Sequence, residues 1–128
     1  LFFFKKKTKS AQAGDNEQTA VVDPALQEQV VELKQRLETA EGDLRIATLN
    51  ELGSKLFALE NIDEAIQFYE TSIQENRTLG KAYTDLLKLY NVKRKQAAEQ
   101  NDDDKLQTYL NKIDDLMKLS KDVIRGLE

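Results

Sequence analysis

A chain of 128 residues has room for one domain, and 40% hydrophobic content against 33% charged residues allows a modest core with some segments left in water. There is no Cys and no His, which removes disulfides, thiol nucleophiles, imidazole bases and the zinc sites built on those ligands. The net charge is −4, yet Lys5, Lys6, Lys7 and Lys9 precede the first acid and carry +4, so subtracting them leaves −8 for the remainder. A body this acidic repels a phosphate backbone, which argues against nucleic acid as a partner. A single Pro, few Gly and abundant Leu, Ala, Glu, Lys and Gln predict an all-α fold.

The first stretch, LFFFKKKTK, reads as the last apolar residues of a hydrophobic segment followed by a basic stop. It is too short to cross a bilayer, which takes about 20 apolar residues. With Leu1 in place of Met, the pattern has two readings, the end of a membrane anchor that lies upstream and would place the following chain on the cytoplasmic side, or a sticky terminus without a role. Residues Ser10 to Val22 have no sustained periodicity and many small polar side chains, so 1–22 is assigned to a membrane-proximal basic end and a flexible linker.

Asp23-Pro24 is a helix start, with a carboxylate placed to cap free amides and Pro in the first turn, where no donor is needed. The helix assigned to 23–43 opens a heptad seam of Leu26, Val30, Leu33, Leu37, Ala40, Leu44 and Ala47, with Glu32 and Arg36 as an i, i+4 pair. That seam has two uses, docking on the rest of the domain as a capping helix or pairing with a second copy as a homodimer. Glu41, Gly42 and Asp43 mark a break before the next helix, expected over Leu44 to Leu59. Asn61, with Glu64 three residues on, predicts a capping box and a partner helix carrying Ile62, Ala65, Ile66, Tyr69 and Ile73 inward.

Leu49, Leu52, Gly53 and Leu56 recur as Tyr83, Leu86, Leu87 and Tyr90, at the 34-residue period of a known helix–turn–helix repeat. With Ala65 and Tyr69 in the second helix, the slots resemble the tetratricopeptide repeat (TPR) family. Gly53 and Ala65 are the small residues that let two helices approach closely. The departures are Leu49 where Trp is usual, Leu56 where Tyr is usual, Arg77 for the closing Pro, and Leu87 in the second Gly slot. The resemblance therefore covers one good repeat and one degenerate repeat within 44–126, the TPR-like helical domain, preceded by the extra N-terminal helix. In the second copy 15 residues lie between Tyr90 and Leu106 where 8 lie between Leu56 and Ala65, so both of its helices are expected to be longer. Asn101 to Asp104 is the turn and the cap of the last helix, whose inward side is read as Leu106, Tyr109, Leu110, Ile113, Leu116, Met117 and Val123. Gly126 is its stop, and 127–128 has the look of a cloning scar.

Chemistry finds little support. Asp102-Asp103-Asp104 lacks the spaced ligands of a calcium loop and reads as a helix cap, no Gly-rich phosphate loop occurs, and the run Lys93-Arg94-Lys95 reads as a solvated helix face. No cofactor, metal or catalytic residue is assigned, and the chain is read as non-enzymatic. The TPR resemblance implies instead a groove lined by the first helix of each repeat, which here would present Asn50, Glu51, Ser54 and Phe57, then Lys81, Thr84, Asp85 and Lys88, to a protein or peptide. The expected function is an adaptor or scaffold domain of a membrane-anchored protein. The alternative is a structural module that dimerises through the 26–47 heptad helix.

Overall fold

Asp23 caps the first helix as its position predicts: its side chain accepts from the Leu26 amide at 3.2 Å, and Pro24 occupies the first helical position. The computed structural model describes residues 22–126, so the basic end, nearly all of the expected linker and the pair 127–128 lie outside the described residues. The described chain is all-α, with α1 (Pro24–Leu37), α2 (Gly42–Ala58), α3 (Ile62–Glu75), α4 (Lys81–Glu99) and α5 (Asp103–Arg125). Each helix packs on the next, and α2 also touches α4. Thus α2/α3 and α4/α5 are helical hairpins laid side by side, with α1 as an additional helix on α2.

The inward stripes join into one core. Leu52 and Leu56 from α2 meet Ala65, Ile66 and Tyr69 from α3, Leu86 and Leu89 from α4, Val30 and Leu33 from α1, and Leu116 from α5. The second hairpin is longer, as the spacing predicts, with 19 and 23 residues in α4 and α5 against 17 and 14 in α2 and α3. Asp102 caps α5 by accepting from the Lys105 amide at 3.1 Å, and Gly126 ends it in left-handed backbone.

Several expectations need correction. The heptad seam is not one helix: α1 stops at Leu37, and α2 begins at Gly42, two residues before the expected Leu44. Gly42 has φ +60, a conformation that side-chain-bearing residues avoid, and the chain reverses there. The break splits the seam, since Val30, Leu33 and Ala40 are buried in cis while Leu44 is 57% exposed. The ion pair made by α1 is Lys34 with Glu64 of α3 at 2.9 Å rather than Glu32 with Arg36. Lys93 likewise leaves the solvated face to pair with Asp63 at 2.9 Å.

The Asn61–Glu64 capping box does not form, for a local reason. The Asn61 amide, which Glu64 would have accepted from, already donates to the Leu56 carbonyl at 2.8 Å while Glu60 donates to Phe57 at 2.9 Å. These two bonds make a Schellman ending for α2, so the Asn61 side chain donates to Glu64 instead, at 2.8 Å. The same 6→1 and 5→2 pair ends α4, from Asp102 to Ala97 at 2.9 Å and from Asn101 to Ala98 at 3.2 Å. Both motifs need a left-handed residue, and they use Asn101 at φ 56 and Glu60 at φ 59. Asn tolerates that region, whereas Glu is strained there by about 1 kcal/mol. Glu60→Gly is therefore expected to raise stability by about 0.5 kcal/mol after the added chain entropy of Gly is allowed for, seen as a higher urea midpoint at unchanged slope.

Candidate functional site

The α2–α4 contact puts the first helices of the two hairpins next to each other, and one buried polar junction ties them through α3. Its base is steric: a methyl group on Gly53 would sit 2.8 Å from three ring carbons of Tyr69, so the ring lies directly on the glycine. Tyr69 is fully buried, and its hydroxyl donates to Asp85 at 2.6 Å. Lys81, one turn before Asp85 on α4, places its ammonium 2.9 Å from the same carboxylate oxygen. Burial and then the bond to Asp85 push the Tyr69 hydroxyl well above its usual 10.0, while the Ser54 hydroxyl from α2 acts the other way. Tyr69, Asp85 and Lys81 thereby connect α3 and α4, and the contact of the Tyr69 ring with Gly53 joins them to α2.

On the far side of α4 a second junction joins α3, α4 and α5. Tyr90 donates to Glu70 of α3, and Lys112 of α5 reaches the same carboxylate oxygen at 2.9 Å while lying 5.6 Å from the centre of the Tyr90 ring. Burial first, and then the Glu70 carboxylate, raise the Tyr90 hydroxyl above its usual 10.0. At the open end of the α2/α3 hairpin, Arg45 grips Glu75 through two bonds of 2.8 and 2.9 Å, which hold the Glu75 carboxyl below its usual range.

The eight residues assigned to the groove divide into two groups. Glu51, Lys81, Thr84 and Lys88 are exposed, and Ser54 and Phe57 are half-buried, with Phe57 leaning on the core. Asp85 is the correction, because at 4% exposure its carboxylate is committed to Tyr69 and Lys81 and is not offered to a partner. Asn50 is committed as well, accepting from the Ser72 hydroxyl of α3. What the α2/α4 face offers is Glu51, Ser54, Phe57, Thr84, Lys88 and the outer part of Lys81. No group of acids able to hold a metal ion occurs among the described residues.

Sequence reading missed Leu89, which is fully buried, and the roles of Thr48 and Ser72, both 2% exposed. The 34-residue alignment sets Leu89 opposite Lys55, which hid it, whereas counting i, i+4, i+7 from Ala82 finds it. Thr48 turns its hydroxyl onto the Leu44 carbonyl at 2.7 Å, so it is polar in composition only. Comparison with known protein families, curated proteins and solved structures returns no match for this chain.

Proposed function

We propose that this is a non-enzymatic protein-interaction domain of TPR-like construction, which receives a peptide or helix of another protein on the α2/α4 face. The observation that carries the reading is the lateral α2–α4 contact, with Gly53 under Tyr69 at the slots of the repeat pattern. A face made by two neighbouring helices, with an aromatic residue and an exposed cation on a packed base, is suited to an extended or helical ligand. The acidic remainder of the chain disfavours nucleic acid. The basic stretch Leu1 to Lys9 supports a membrane-proximal placement on the cytoplasmic side, through an anchor upstream. Among the described residues no helix is long and apolar enough to cross a membrane.

The test is a double substitution, Phe57→Ala with Lys88→Glu, assayed against a binding partner recovered with the unaltered chain. Loss of an aromatic anchor and reversal of a neighbouring charge should weaken binding by about tenfold or more while the helical circular dichroism stays unchanged. Unchanged affinity in a folded double variant rejects this face as the binding site.

A further inference from the structure

The two ends of the helical pile differ. At the first end α1 covers the core with Val30 and Leu33 and turns Gln27, Glu28, Glu32 and Gln35 to water, as a capping helix should. At the other end α5 buries only Leu116 fully, and it leaves Leu110 38%, Met117 47% and Ile124 74% exposed. These three were expected to face inward or, for Ile124, carried no assignment. They stand seven residues apart on one edge of α5, flanked by the half-buried Leu106 and Ile113, and form a straight apolar seam. The seam runs about 21 Å at the helical rise. Asp114 and Lys121 border it, also seven residues apart and of opposite charge.

That charge order selects the occupant. If a second α5 is laid antiparallel with a two-fold axis at Met117, then Leu110 faces Ile124 of the second copy and Met117 faces its own equivalent. Asp114 then lies on the same side as Lys121 of the second copy, one residue or about 1.5 Å from it along the helix, and by symmetry the pair is made twice. A parallel arrangement would put the Asp114–Lys121 edges of the two copies on opposite sides of the seam, where neither charge meets its counterpart. We propose that the outer edge of α5 is a self-association surface, on which a second copy of this chain docks antiparallel through Leu110, Met117 and Ile124, with Asp114 paired to Lys121 across the axis. The seam is narrow beside a standard protein interface, so the dimer is weak and concentration-dependent. The residues of this seam are none of those assigned to the α2/α4 face, and the proposal does not depend on what binds there.

Sedimentation equilibrium of the full chain should show a mass rising from one copy toward two as concentration reaches the millimolar range. Met117→Lys should abolish the rise with helical content unchanged, because the residue is exposed and not part of the core. Asp114→Lys or Lys121→Asp alone should each weaken association roughly fivefold, and the two together should restore it, because the swapped pair is again opposite. Cysteine cross-linking fixes the direction in a chain that has no other Cys. Met117→Cys should form a disulfide dimer, whereas Leu110→Cys should do so only when mixed with Ile124→Cys. A monomer at every concentration overturns the proposal. So does a dimer that ignores Met117→Lys, a double charge swap that fails to restore association, or efficient cross-linking of Leu110→Cys with itself.

Discussion

Gly53→Ala should destabilise the domain by roughly 1–2 kcal/mol, although alanine is the better helix former. The helix-propensity gain is about 1 kcal/mol, and it is outweighed by overpacking, since the new methyl would lie 2.8 Å from the Tyr69 ring. The ring has little room to yield, being fully buried with its hydroxyl held by Asp85. Urea denaturation should show a lower midpoint at constant slope, and Gly53→Leu should prevent α2 and α3 from closing at all. A double-mutant cycle with Tyr69→Leu isolates the contact: the alanine should cost much less once the ring is gone, because the propensity gain is then unopposed. An alanine variant as stable as the parent would show that helices α2 and α3 do not touch there.

The Tyr69–Asp85 pair should give the second large effect, with an order that follows from charge. Tyr69→Phe leaves a buried carboxylate with Lys81 as its remaining partner and is expected to lose about 2–3 kcal/mol. Asp85→Leu takes the carboxylate from a neutral buried hydroxyl and from Lys81, which is exposed and can turn to water, so about 1–2 kcal/mol is expected. Making both changes should lose less than the sum of the two, because two apolar groups then face each other. The same pair sets a pH dependence. Both Tyr69 and Tyr90 are raised above the usual 10.0, so above that pH the folded state holds protons that the unfolded state releases. Their stabilisation is complete below about pH 10 and is lost as pH rises beyond it. Chemical denaturation at a series of alkaline pH values should show the fall, and Tyr69→Phe should make it shallower. A rise in stability over that range would contradict the buried, hydrogen-bonded placement of both hydroxyls.

Much of the fold was legible because side-chain size carries it. The recurrence of Leu49, Leu52, Gly53 and Leu56 as Tyr83, Leu86, Leu87 and Tyr90 marks the inner sides of α2 and α4, and Ala65 with Tyr69 marks that of α3. Helix ends were legible where one residue decides, as at Asp23, Asp102 and Gly126. They were misread where two arrangements compete for one amide, as at Asn61, or where a single glycine turns the chain, as at Gly42. The heptad seam failed for that second reason: its apolar spacing continues past a reversal that spacing alone does not register.

The face proposed for binding was less legible. Exposure at Lys88 and Glu51 follows from the helical period, but the burial of Asp85 depends on a hydroxyl 16 residues away in sequence. A charged residue reads as exposed until a partner on another helix is known, and Tyr69 gave no sign that its hydroxyl pointed toward α4. The inner side of α5 was overread for a related cause. An apolar stripe is buried only as far as neighbouring helices reach, and α4 covers one edge of it.

The packing of α2 on α3, from which the position of the α2/α4 face follows, can be observed in solution by nuclear Overhauser contacts between the Gly53 α-protons and the Tyr69 ring. Strong cross-peaks, with those α-protons shifted upfield by the ring current, are the predicted result. Gly53 α-protons at ordinary shifts, with no contact to the ring, would contradict the arrangement and remove the base on which the binding face rests.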